Sequence, residues 1–177
     1  MSPSEQYSVR IKDVALLAAF ALFLSTIEYV IPKPVPYMRI GLANLSVLIG
    51  LTYLNLKEYA LLAVLKVLGQ GIVHGTLFSY IFLLSAAGSF ASALVMLLIY
   101  RTASRRISLI GISAAGAFAS NLAQILLAGV MLFGSAAWLI APPFLAAGLI
   151  ASVVLGIFAE KFSRESLWLK KRRGAAA

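Results

Sequence analysis

The chain contains no cysteine and a single histidine, His74. A disulfide framework, a thiolate metal site and a histidine-cluster metal centre are therefore excluded, and no cofactor is expected. Charge is scarce: only 12% of the 177 residues are charged and six are acidic. No G-x-x-x-x-G-K-[ST] phosphate loop occurs, so the chain is not expected to hydrolyse ATP itself. The first residues lack a basic stretch followed by a cleavage site, and the first hydrophobic block is read as a retained helix rather than a signal peptide. No internal repeat and no low-complexity segment is present. The inverted-repeat logic of many secondary transporters thus gains no support.

What is there is apolar. Hydrophobic residues make up 62% of the chain and the mean hydropathy is +0.97, values that no soluble domain of this size reaches. Long apolar runs read as spanning helices, so the fold class expected is an all-α integral membrane protein, a single multi-pass domain over residues 1–173. The closing Gly174-Ala175-Ala176-Ala177 is read as a tail outside the fold. Six hydrophobic blocks stand out, at roughly 14–31, 40–54, 59–73, 77–100, 107–133 and 143–162. A span needs about 20 residues. The second and third blocks are short, which leaves little tilt, a partly re-entrant path or a place inside the bundle open to them. The pair Pro142-Pro143 is read as the start of the sixth helix, because proline suits a first turn. Trp138 before it suits an interfacial position.

Charge sets the orientation. With the N-terminus in the cytoplasm, the inner side carries Arg10, Lys12, Lys57, Arg101, Arg105, Arg106, Lys161, Arg164, Lys170, Lys171, Arg172 and Arg173, and the outer side only Lys33 and Arg39. That bias places both termini in the cytoplasm of a plasma-membrane protein. The net charge of +9 then reads as an orientation signal and a contact for anionic headgroups of membrane lipid rather than for nucleic acid.

This topology assigns depth to the polar residues. Glu28 lies near the outer end of helix 1, and Arg39 and Asn44 at the outer start of helix 2. Lys66, Gln70 and His74 follow one face of helix 3 at i, i+4, i+8 spacing. Asn121 and Gln124 share a face of helix 5, and Ser79, Tyr80 and Ser85 lie in the outer half of helix 4. The inner halves are more apolar and rich in Gly, Ala and Ser, which permits close packing. Each polar residue also has a plainer role: Lys66 could snorkel or pair with Glu28, the amides could join helices, His74 could be solvated, and Arg39 could anchor to headgroups. A channel needs polar groups through the full depth, whereas an outward pocket needs them only in the outer half. The pattern therefore points to a binding site formed by Glu28, Arg39, Asn44, Lys66, Gln70, His74, Tyr80, Asn121 and Gln124. Two cations against one carboxylate favour an anionic solute. Tyr29, Tyr37, Tyr80 and Trp138 could supply flat apolar contacts. On helix 1, Ala15, Ala18, Ala19 and Ala21 form a small-residue face that another helix can approach closely.

The run Arg39-Ile40-Gly41-Leu42-Ala43-Asn44, then Lys57-Glu58, then Lys66-Val67-Leu68-Gly69, then Gly75 and Ser79, resembles the small membrane proteins called Gx transporters, also named heptaprenyl diphosphate synthase component I. The resemblance covers roughly residues 14–158. Where that family commonly carries arginine this chain has Lys66, which keeps the charge but not the bidentate fork. The family is similar to the substrate-binding (S) components of energy-coupling factor transporters. That likeness implies six helices, an outward site capped by the loop between helices 1 and 2 (here 32–39), and an alanine motif docking a transmembrane T component. Ala15 and Ala19 take that docking role by resemblance, with two cytoplasmic ATPases as further partners and a small vitamin-like solute as substrate. Common chain-elongating prenyl synthases hold Mg²⁺ against diphosphate with aspartate-rich motifs. Asp13 is the sole aspartate here, so catalysis is not expected. A non-catalytic subunit or isoprenoid-diphosphate binder linked to polyprenyl diphosphate or quinone synthesis remains the alternative.

An arginine on the sparsely charged outer side tests the reading directly. Arg39→Ala is expected to weaken solute binding while leaving folding and partner docking intact, as measured by solute retention and complex purification; unchanged affinity would return Arg39 to the role of a headgroup anchor.

Overall fold

A computed structural model describes residues 3–30, 41–103 and 106–174. Its elements are α1 (Pro3–Val30), α2 (Asn44–Leu51), α3 (Leu56–Val73), α4 (Tyr80–Ala103), α5 (Leu109–Ala128), α6 (Ala137–Glu165) and α7 (Leu167–Gly174). A π turn (Gly129–Phe133) and a 3-10 turn (Gly134–Ala136) join α5 to α6. Helix is the form in which an apolar chain satisfies its own backbone polar groups without water. Local chemistry marks the starts. Asn55 caps α3 in a reciprocal box with Glu58, and Ser108 caps α5 by accepting from the Gly111 N–H.

Three helical stretches are long and apolar enough to cross a membrane: Val9–Val30, Tyr80–Ala103 and Leu109–Glu165. The last holds two helices folded against each other. This is a membrane protein. Contacts between helices give their directions. Arg10 meets Glu58, Leu22 packs at Gly69 and Tyr29 stacks on His74, so α1 and α3 run parallel. Asn44 meets Lys66 while Gly50 packs on Leu62, so α2 opposes α3. The Tyr59 hydroxyl donates to the Ala93 carbonyl at 3.0 Å and Lys66 reaches Ser89, so α4 opposes α3 as well. Gly116 sits on Met96 and Gly88 on Gln124, which opposes α5 to α4. The Ser113 hydroxyl donates to the Ser152 carbonyl at 2.9 Å and the Asn121 amide to that of Phe144 at 3.2 Å, which opposes α6 to α5. From α1 to α6 the chain therefore alternates in direction, and α7 returns to the end at which α1 starts.

The main apolar core fills that end, with Val14, Leu17, Leu48, Leu62, Met96, Ile112 and Leu169 almost fully buried. A smaller cluster of Ile125, Ala137, Ala141 and Phe144 closes the far end of the α5–α6 pair. The polar side chains lie between. α2 has 8 residues, about 12 Å of helix, against about 30 Å of hydrocarbon, so it cannot cross. Every residue from Leu45 to Leu51 is buried, and of the paths open to the second hydrophobic block the structure takes the one inside the bundle.

α1 begins at Pro3, well ahead of the hydrophobic block at 14, and two further differences from the sequence reading bear on the packing. α6 starts at Ala137, ahead of Pro142 and Pro143 rather than at them. A proline removes the bond to the carbonyl four residues back, which here belongs to Trp138 and Leu139, residues exposed at the tip of the bundle. The loss falls where the surrounding protein is thinnest. The second difference is the basic tail, which folds as α7 and seats Leu169 at 0% exposure. Trp168 packs edge-on against Tyr53 (5.7 Å between ring centroids), Arg172 lies 5.8 Å over the Trp168 ring, and its Nη2 stands 3.0 Å from Oδ1 of the buried Asp13.

This clasp yields a stability test. Removing one partner of a buried pair costs about 3–5 kcal/mol, and Arg172→Ala is expected to fall toward the lower end because Arg172 is partly exposed. Thermal unfolding in detergent should show Arg172→Ala destabilised and the Asp13→Asn/Arg172→Ala double variant partly recovered, since the uncompensated charge is then gone.

Candidate binding site

The site begins at the turn into α2. Gly41 has φ +86°, a conformation glycine adopts at little cost. It aims two successive backbone N–H groups at one carboxylate: the Gly41 N–H donates to Glu28 Oε1 at 3.1 Å and the Leu42 N–H to Oε2 at 2.9 Å. Such a concave pair of amides suits an anion, and Glu28 is 5% exposed. The last turn of α1 is thereby tied to the first of α2, and Asn44 is placed against α3.

Lys66, 3% exposed at mid-length of α3, donates from Nζ to Asn44 Oδ1 and to Ser89 Oγ, the latter at 3.5 Å. An ammonium in an apolar layer is costly, so its surroundings must be polar. They are: Gln70, Asn121 and Gln124 are all at least nine-tenths buried. The Gln124 amide donates to the Ser120 hydroxyl at 3.1 Å and to the Ser120 carbonyl at 3.3 Å, within α5. Two glycines make room for these amides. A Cβ at position 148 would lie 2.0 Å from Asn121 Nδ2, and one at position 88 would lie 2.6 Å from Gln124 Nε2.

Of the residues singled out from the sequence, Glu28, Asn44, Lys66, Gln70, Asn121 and Gln124 are brought together around one cavity of about 30 Å³. That is room for about two water molecules. His74 caps the end of α3 and does not line the cavity; it stacks on Tyr29 with 4.8 Å between ring centroids. Tyr80 is not brought to the cavity and is 40% exposed; Trp138, at 58%, also faces outward. Tyr29 is likewise exposed beyond the stack, so the flat apolar contacts anticipated from these three rings do not line the cavity. Arg39, Tyr37 and the 32–39 loop lie outside the described residues. Among the described residues the lining holds one cation and one carboxylate. Sequence reasoning left Ser89, Ser120, Gly41 and Gly148 out of the site and gave Ser85 no role. A legible signal existed for some: Ser85 and Ser89 are four apart on α4, and Ser120 precedes Gln124 by four on α5. Ala15 and Ala19 are exposed on α1, whereas Ala18 and Ala21 pack inward. No group of three or more His, Asp or Glu that could hold a metal occurs among the described residues.

Residues 17–162 match the model of the family described as heptaprenyl diphosphate synthase component I. The chain belongs to that family. The matched range contains every described residue of the cavity and stops before α7. By its name, the heptaprenyl diphosphate synthase component I family is one component of a multi-component synthase. No curated protein and no solved structure matches the chain.

The glycines give a test that removes no polar group from the chain. Gly148→Ala and Gly88→Ala each force an amide from its seat, at a cost of about 1–3 kcal/mol for overpacking. Both are expected to lower the unfolding temperature and to reduce solute retention, with Gly148→Ala the more severe because its contact is the shorter.

Proposed function

We propose that this chain is the substrate-binding component of an importer of the energy-coupling factor type. It captures a small polar or anionic solute from the outer side and docks on a transmembrane T component that is driven by two cytoplasmic ATPases. The observation that carries this reading is the convergence of Glu28, Lys66, Gln70, Asn121 and Gln124, each at least nine-tenths buried, from three helices of an otherwise apolar bundle. Polar groups at such depth are costly and mark function by default. They occupy one half of the bundle, and the half toward α7 is closed by the main apolar core, as suits a pocket reached from one side. The positive-inside bias makes the polar half the outer one. At about 30 Å³ the cavity is far below the about 300–1,000 Å³ of drug-sized ligand sites, so in this reading a vitamin-sized solute enters only as the cavity widens. The reading includes no catalysis by the chain itself.

Docking falls to α1. Ala15 and Ala19 present a small-residue strip on its outer face, flanked by exposed Leu16 and Phe23, where another membrane helix can approach closely.

The family name favours a second reading, a non-catalytic subunit that binds an isoprenoid diphosphate, with Lys66 meeting the phosphates. Native mass spectrometry of the purified protein separates the two, since a retained vitamin-like solute supports the first and a retained prenyl diphosphate the second. For docking, the protein is expected to co-purify with T and ATPase subunits, and Ala15→Trp/Ala19→Trp to abolish that complex without unfolding the chain. Complex formation undiminished in the double variant would sink the docking claim.

A further inference from the structure

The backbone fixes which way round the two buried carboxamides of α5 stand. Asn121 Nδ2 donates to the Phe144 carbonyl at 3.2 Å, and Gln124 Nε2 to the Ser120 carbonyl at 3.3 Å. A carbonyl oxygen only accepts. Turning either carboxamide over would set its own oxygen against that acceptor, so the hydrogen-bond pattern assigns the nitrogens to the protein. Asn121 Oδ1 and Gln124 Oε1 are then the ends left for whatever enters. Among the described residues neither oxygen receives a hydrogen bond. Both side chains line the cavity, at 4% and 9% exposure, three residues apart on one face of α5. The Ser120 carbonyl belongs to α5 itself, so Gln124 keeps this orientation when the helices move apart.

The cavity thus makes two different demands. Lys66, the one cation among the described residues of the lining, takes acceptors. The two oxygens of α5 take donors. A buried acceptor without a donor costs free energy. Water meets that demand in the small cavity, and a solute that displaces water must replace the hydrogen bonds it made. An N–H group suits this wall better than a hydroxyl, because a hydroxyl also turns lone pairs toward neighbouring acceptors. We infer that the solute is a small acid bearing adjacent N–H donors, of the ureide kind, with its acid toward Lys66 and its N–H groups on Asn121 Oδ1 and Gln124 Oε1. This rests on the solute-capture reading above and narrows it to one chemical class. A prenyl diphosphate brings no N–H and leaves both oxygens unmet.

The test is competition binding. Labelled ureidoacetate is bound to the full chain in lipid nanodiscs and displaced by unlabelled ureidoacetate, by glutarate (an acid of similar length without N–H), by glycerate (hydroxyls in place of N–H) or by inorganic pyrophosphate. Wild type is expected to bind ureidoacetate about tenfold more tightly than glutarate or glycerate, the scale of two neutral hydrogen bonds. In Asn121→Leu/Gln124→Met that preference is expected to fall to about twofold or less, and Lys66→Gln to weaken both acids alike. No binding of ureidoacetate by wild type overturns the inference, as does equal competition by glutarate or glycerate, or an undiminished preference in the folded double variant. Stronger competition by pyrophosphate overturns it in favour of the diphosphate reading. The wild-type comparison needs no variant, so misfolding of a substitution leaves the inference open to refutation. The importer reading fails separately: a ureide preference without any complex with T and ATPase subunits sinks the importer and leaves this inference standing, whereas equal competition with the complex intact does the reverse.

Discussion

A polar side chain that enters an apolar layer is costly unless it finds a partner, and the arrangement of this bundle follows from how that demand is met. The decisive instance is Glu28. Its two carboxylate oxygens take the N–H groups of Gly41 and Leu42, which would otherwise be unpaired donors at the start of a helix. One contact thus neutralises the cost of a buried acid, supplies partners for the backbone entering α2, and fixes where a helix too short to span begins. From that point Asn44 reaches Lys66, and Lys66 reaches Ser89 on α4.

The same demand divides the bundle in two. Toward α7 the helices meet through apolar side chains and glycine contacts, as at Gly116 against Met96 and Gly156 against the Ile110 backbone. In the other half, glycines 88 and 148 give up side-chain volume and carboxamides occupy it. Small residues let helices approach closely in the absence of a hydrophobic drive between them, and here the space they yield is used differently in each half. A polar cavity closed at its base by a packed core has the asymmetry of a receptor rather than of a conduit, which is why solute capture is the function preferred.

The family assignment and this geometry bear on different questions. The family name points to heptaprenyl diphosphate synthesis, and the matched range holds the whole described cavity, so whatever the family binds is expected there. The chemistry of the cavity, amides and hydroxyls around one ammonium, suits a solute with several acceptors, whether a free anion or a diphosphate headgroup. α7 and Asp13, which Arg172 clasps, both lie beyond the matched range.

Much of this was legible in the amino-acid order. Hydropathy alone determined that the chain is a helical membrane protein, because hydrocarbon permits few other ways to satisfy a backbone. The spacing of Lys66 and Gln70 placed both on one face, as did that of Asn121 and Gln124, and these four do meet. Tyr80 and Trp138 were misjudged because an aromatic ring serves equally well in a pocket or facing lipid, and residue type does not choose between them. The start of α6 was misjudged because proline is tolerated wherever the carbonyl it orphans lies outside the packed protein, which only the packing reveals. The role of Gly148 and the clasp of Arg172 on Asp13 were decided by tertiary structure alone. Each depends on which atoms of distant segments come within a few ångströms, and periodicity along a single helix carries no information about that.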